Sequence, residues 1–220
     1  MGKKVRLTAE DGHQLDAYLC EAQGECKGAI VLVQEIFGVN SHIRSVAERF
    51  AELGYRTIAP ALFDRLEPNV ELAYDADGVA KGREFKDRIA DEIALKDIAA
   101  AADYVDTGPK VSVIGYCWGG KLAYLAAGKI KNLFKAVGYY GGGIVGVMEQ
   151  NPQIPTLLHF GDQDSAIPMS EVEAIIARHP EVEVHVYSAG HGFNCDARGS
   201  YNKEAADLAL KRSLDFLQGT

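Results

Sequence analysis

From residue 28 onward, short runs of β-branched and aliphatic residues alternate with segments whose apolar positions recur every three or four residues. Six runs read as strands, at residues 29–33, 57–59, 111–114, 136–140, 156–160 and 182–187. Several are unbroken apolar stretches, as strands covered on both faces require. The amphipathic segments predict helices over 41–53 closed by Gly54, one long helix over 79–104, then 118–127 closed by Gly128, 170–178 and 202–217. Residues 5–7 and 14–19, joined through Asp11-Gly12, read as an antiparallel hairpin at one edge. Strands alternating with helices predict an α/β fold, a mostly parallel sheet with helices on both faces. Residues 61–77 have weak periodicity and are expected to form a loop or short cap near the sheet edge. No repeat, linker or low-complexity tract interrupts the pattern, so residues 1–220 are expected to form one domain.

Composition narrows the function classes. With 47% hydrophobic and 25% charged residues the chain is ordinary for a soluble globular domain. Its net charge of −8, with no Lys/Arg cluster, argues against a nucleic-acid partner. The polar N-terminal residues contain neither a signal-peptide apolar region nor a membrane-spanning stretch, so a cytoplasmic protein without membrane partners is expected. In that setting the four cysteines, Cys20, Cys26, Cys117 and Cys195, are expected to be reduced. No zinc-like Cys-x-x-Cys occurs, and Cys20 and Cys26 read as structural or incidental.

The chemistry concentrates at Val-Ser-Val-Ile-Gly115-Tyr-Cys117-Trp-Gly119-Gly, where an apolar run meets glycines and a helical pattern. The spacing Gly-x-Cys-x-Gly has the form of a nucleophile elbow, with sulfur in place of the serine hydroxyl. Small residues two before and two after the nucleophile let strand and helix approach closely while the residue between them holds a strained backbone. Cys117 also falls at a helix N-terminus, where free N–H groups and the macrodipole favour negative charge.

A nucleophile of this kind needs a base and an orienting carboxylate. Of six histidines, His159 and His185 lie inside strands, and His13, His42 and His179 are in turn or helix contexts suited to the surface. His191, in Ser-Ala-Gly-His-Gly-Phe after the last strand, is the expected base. The loop after residues 156–160 reads Gly-Asp-Gln-Asp and offers two acids; Asp162 beside Gly161 suits turn formation, leaving Asp164 to reach the histidine. The order Cys117, Asp164, His191 is the nucleophile, acid, base order of α/β-hydrolases. Backbone N–H groups of Trp118 and of Ile36, in the loop after residues 29–33, are the expected oxyanion donors. Glu35 in the same loop is either an ion-pair or capping residue or a partner that controls the thiol's protonation. The run Gly141-Gly-Gly143 reads as a flexible loop at the carboxyl edge of the sheet.

The stretches Gln34-Glu-Ile-Phe-Gly-Val-Asn, Gly115-Tyr-Cys-Trp-Gly-Gly, Val137-Gly-Tyr-Tyr-Gly, Gly161-Asp-Gln-Asp and Gly190-His-Gly-Phe together resemble the dienelactone hydrolase family over nearly the whole chain. The resemblance implies an α/β-hydrolase fold without a large lid domain, no metal or organic cofactor, and a triad of Cys117, His191 and Asp164. It further implies that Glu35 hydrogen-bonds the resting thiol until substrate displaces it. Dienelactone-cleaving members hold a substrate carboxylate with two arginines, one of them four residues after the catalytic histidine, where this chain has Cys195. Arg198 is the candidate replacement, with Arg65, Arg83 or Arg88 as a second cation. Tyr140 and Phe193 either line the acyl pocket or serve as packing aromatics. The expected partner is a small-molecule ester or lactone and the expected assembly a monomer or small homo-oligomer. Alternatives are a thioesterase or phosphoester hydrolase on the same scaffold, or a non-catalytic redox-sensing relative.

Overall fold

The computed structural model describes residues 2–108 and 110–219. Eight strands form one sheet: β1 (Lys3–Thr8), β2 (Gln14–Cys20), β3 (Gly28–Val33), β4 (Tyr55–Pro60), β5 (Val111–Tyr116), β6 (Leu133–Tyr139), β7 (Thr156–Gly161) and β8 (Glu183–Tyr187). Their order across the sheet is β1-β2-β4-β3-β5-β6-β7-β8. β1 and β2 pair antiparallel, as does β2 with β4, and every other neighbouring pair is parallel. The hairpin at the edge turns at Gly12, whose φ of +82° suits a residue without Cβ.

Helices α1 (Ser41–Glu52), α2 (Ala76–Asp87), α3 (Asp91–Val105), α4 (Trp118–Lys129), α5 (Met169–Arg178) and α6 (Lys203–Gln218) cover both faces. β3 shows why its sequence is an unbroken apolar run. Ala29, Val31 and Val33 enter the core built with α2, α3 and α4, while Ile30 and Leu32 enter the opposite core with α1, α5 and α6. A strand buried on both faces has no solvent side to alternate with. α1 begins where Asn40 accepts a hydrogen bond from the Ile43 N–H at 3.1 Å, a side-chain cap on an otherwise unpaired donor.

One expectation needs correction. The single helix over 79–104 is two helices, because Ala90 takes an extended conformation (φ −63°, ψ 145°) and drops Ile89 into the core. The apolar period runs through the break without a Gly or Pro to mark it. Residues 61–77 form a short cap: they include a 3₁₀ turn at Leu62–Arg65 and the start of α2, and Glu71 bridges to Gly38 in the loop after β3. The segment therefore folds over the carboxyl ends of β3 and β4.

This placement depends on a buried charge pair. The Arg65 guanidinium grips Asp97, which is fully buried on α3, at 2.7 and 2.9 Å, and reaches Asp11 at 2.8 Å. Burial raises the Asp97 carboxyl above its usual range, against the lowering effect of Arg65. Removing the arginine alone would strand a buried carboxylate. Arg65→Ala is expected to cost about 3 kcal/mol or more, a fall in Tm of roughly 6–12 °C, whereas the double change Arg65→Met with Asp97→Leu recovers most of it; calorimetry on both variants checks the pair.

Candidate active site

β3 and β5 lie side by side, yet the chain leaves β3 toward β4 on one side and returns to β5 on the other. Connections diverging at such a switch point leave a crevice at the carboxyl ends of the strands. Cys117 stands at that crevice, between β5 and α4, with φ 56° and ψ −117°. The conformation is held from outside: the Cys117 N–H donates to the Tyr139 carbonyl at 2.9 Å and its carbonyl accepts from the Gly120 N–H at 2.9 Å. A Cβ at Gly115 would strike the Gly119 carbonyl, and one at Gly119 would strike that of Val33. Both glycines of the elbow are thus required by backbone approach, and the side chain between them is left partly exposed.

The three predicted loops converge. His191 Nε2 lies 3.2 Å from Cys117 Sγ, and His191 Nδ1 lies 2.7 Å from Asp164 Oδ2. Asp164 is buried, and its other oxygen accepts from the Ala166 N–H at 2.8 Å, so the carboxylate is aimed by its own loop. Asp162 is exposed, and its backbone N–H donates to the Tyr187 carbonyl at 2.9 Å. Burial by itself would lower the His191 pKa; the hydrogen bond to Asp164, then that to Cys117, overcome it and hold His191 at about 10.

Glu35 is fully buried behind the thiol. The Tyr74 hydroxyl donates to its Oε2 at 2.8 Å, and Arg198 Nη1 reaches its Oε1 at 3.3 Å. The resemblance implied a glutamate bonded to the resting thiol. Here the two side chains have other partners, Glu35 with Tyr74 and Arg198, Cys117 with His191. Gln34, fully buried after five apolar residues, places this loop by donating to the Glu35 carbonyl at 3.2 Å and accepting from the Leu62 N–H at 3.2 Å.

An open cleft lies over Cys117 and His191. Ile36, Phe37, Val79 and Trp118 supply apolar walls, Gly142 and Gly143 part of the rim, and Arg83, Lys86 and Arg198 positive charge. The backbone N–H groups of Ile36 and Trp118 donate to no acceptor among the described residues. Arg198 passes over the rings of Phe37 and Tyr74, 5.7 Å from each centroid. It crosses Gly192, where any Cβ would meet the guanidinium and where φ is +78°. Of the other candidate cations, Arg65 is committed to Asp97 and Asp11, and Arg88 to Glu84 at 3.5 Å; Arg83 alone of the three faces the cleft.

Other expectations are corrected. Tyr140 and Phe193 do not line the cleft; both are fully buried behind it. Tyr140 packs edge-on to His191 at 5.2 Å and to Phe193 at 5.4 Å, so these aromatics wall the imidazole from below. His42 and His179, expected at the surface, are buried; His42 Nδ1 pairs with Asp196 Oδ1 at 3.1 Å and His179 Nδ1 with Glu181 at 2.8 Å. His159 is the packed strand residue expected, bonded to Tyr187 and Ser213 and kept neutral by burial. Tyr74 was missed because it sits in the unpatterned segment 61–77. Gln34 did carry a signal, since an amide ending a buried strand needs partners.

The dienelactone hydrolase family profile matches residues 15–220. This chain belongs to the dienelactone hydrolase family. It is 33% identical to a carboxymethylenebutenolidase of Pseudomonas putida, over 97% of this chain and 94% of that protein. It is 38% identical to a Synechocystis sp. protein provisionally described as a carboxymethylenebutenolidase, over 93% of this chain and 92% of that one. A solved structure from Klebsiella pneumoniae, provisionally assigned as a dienelactone hydrolase, superposes with a TM-score of 0.85 at 27% identity, covering 99% of this chain and all of the other. The α/β-hydrolase fold and hydrolase activity follow from this membership. No helix among the described residues is long and apolar enough to cross a membrane.

The geometry around His191 has a direct spectroscopic consequence. Asp164 is the strongest influence raising the imidazole, so Asp164→Asn is expected to move the His191 titration from about 10 to lower pH. Following the His191 Cε1 resonance by NMR checks the direction.

Proposed function

We propose that this member of the family cleaves a lactone or small carboxylic ester through an acyl-cysteine intermediate. What supports the reading above all is the continuous chain from Asp164 to His191 to Cys117, 2.7 and 3.2 Å, ending at the floor of an open cleft. With the proton of the Cys117 thiol held on His191 Nε2, the sulfur attacks the carbonyl carbon. The carbonyl oxygen takes up negative charge against the unpaired N–H groups of Ile36 and Trp118. As the tetrahedral intermediate collapses, the carbon–oxygen bond to the leaving alcohol breaks and His191 returns the proton to that oxygen. In a lactone the leaving alcohol stays tethered to the acyl group. Water, its proton taken by His191, then attacks the thioester and releases the acid and the thiol.

Glu35 acts as an auxiliary to the thiol. While Tyr74 and Arg198 hold its carboxylate, His191 is left as the sulfur's hydrogen-bonding partner. Arg198, Arg83 and Lys86 supply a cationic wall suited to an acyl group bearing a carboxylate. Tyr140 and Phe193 support the base rather than touch the acyl group.

Cys117→Ala is expected to abolish turnover of small esters with the melting temperature little changed; retained turnover overturns the proposal. Cys117→Ser is expected to shift the substrate range, because an oxygen ester and a thioester differ in how readily they deacylate. Arg198→Gln is expected to raise KM for a carboxylate-bearing lactone by roughly ten- to a hundredfold more than for a neutral ester, the loss of one charge-assisted hydrogen bond; steady-state kinetics on the two substrates separates this from a general loss of activity.

A further inference from the structure

Behind the nucleophile three buried ligand-bearing side chains from three parts of the chain meet. Glu35 follows β3, His42 lies in the first turn of α1, and Cys195 is in the loop beyond His191. A carboxylate oxygen, an imidazole nitrogen and the Cys195 sulfur all lie within 4.8 Å of one another, and the three residues are buried. Their side chains suit one class of cation: thiolate, imidazole and carboxylate together select a borderline-soft divalent metal such as zinc over calcium or magnesium.

The orientation of His42 points the same way. Its side chain is 2% exposed, and Nδ1 bonds the Asp196 carboxylate at 3.1 Å. With the Nδ1 proton given to Asp196, Nε2 is left with a lone pair, and that buried nitrogen has no hydrogen-bond partner among the described residues. A carboxylate behind a histidine whose far nitrogen is bare is the arrangement that orients metal-binding imidazoles.

We propose that Glu35, His42 and Cys195 form a binding site for a zinc-like divalent cation directly behind the reaction cleft. Zinc bonds of about 2.0–2.3 Å put tetrahedral ligand atoms about 3.5 Å apart, so side-chain shifts of about an ångström close the site. Binding replaces the Cys195 S–H bond with a metal–sulfur bond and releases the proton to solvent; burial, then the Glu35 charge, otherwise hold that thiol's pKa up at about 11. The cation also competes with Arg198 and Tyr74 for the Glu35 carboxylate. If Glu35 assists the thiol as proposed above, occupation lowers turnover; the site itself does not depend on that reading.

Titrating the full-length, metal-stripped protein with Co²⁺ tests it, because a cobalt–thiolate bond has a near-ultraviolet charge-transfer band that Zn²⁺ abolishes on displacement. One equivalent of Co²⁺ is expected to produce the band in the wild type and in Cys117→Ala. Cys195→Ser is expected to remove it, and His42→Ala to weaken binding at least tenfold. Asp196→Asn, at an exposed position, is expected to weaken Co²⁺ binding by about 10–100-fold without disturbing the fold. A band lost in Cys117→Ala but retained in Cys195→Ser would assign the metal to Cys117 and His191 and overturn the proposal, as would no band in the wild type at millimolar Co²⁺. Inhibition of ester hydrolysis by Zn²⁺ in the wild type, absent in Cys195→Ser, would tie the site to turnover.

Discussion

Everything at the carboxyl edge of the sheet depends on one backbone constraint: Cys117 is held at φ 56° by the close approach of β5, α4 and β3. A non-glycine residue in that region is strained and persists only where its surroundings over-determine it. Here they do. The Tyr139 carbonyl holds the Cys117 N–H, the two glycines let α4 lie against β5 and the end of β3, and the sulfur has only the crevice to point into. Because α4 starts at Trp118, the same turn leaves that residue's N–H without an acceptor among the described residues.

The second organising element is a fully buried carboxylate. An ionised Glu35 away from water is tolerable only with hydrogen-bonding or charged partners. Tyr74 and Arg198 supply them from segments 39 and 163 residues away. The stabilisation of Glu35 and the closing of the chain over the cleft are therefore one event: residues 61–77 are tied down through Tyr74, and the loop after His191 through Arg198. The charge that satisfies the glutamate also faces the cleft, so a substrate carboxylate, Glu35 and any bound cation would draw on one small set of charges.

Cys195 lies within the same network. The position where the resemblance to dienelactone-cleaving members led to an expected arginine holds a buried thiol, while Arg198, three residues further on, crosses Gly192 to bring its guanidinium against Glu35. Positive charge reaches the acid from position 198, and Cys195 meets Glu35 and His42.

Much of the fold was legible in the chain because secondary-structure period is local. The unbroken run at 29–33 could only be a doubly covered strand, and Gly-x-Cys-x-Gly at a strand-to-helix junction could only be read as an elbow. Cys117, Asp164 and His191 were legible as a set because each ends its own parallel strand, and parallel strands bring such loops to one edge. The break at Ala90 was not legible: backbone conformation there is set by burying Ile89 and pairing Asp97 with Arg65, and neither alters the apolar period. Nor were Tyr74 as partner of Glu35, the burial of Tyr140 and Phe193, and the meeting of His42 with Cys195. The sequence by itself determined most of the elements, their order and the meeting of Cys117, Asp164 and His191 at one edge, since these follow from local periodicity and strand direction. Only the tertiary structure decided which partner each buried polar group takes, because that choice is a competition among side chains far apart in the chain, settled by which of them reach hydrogen-bonding distance once water is excluded.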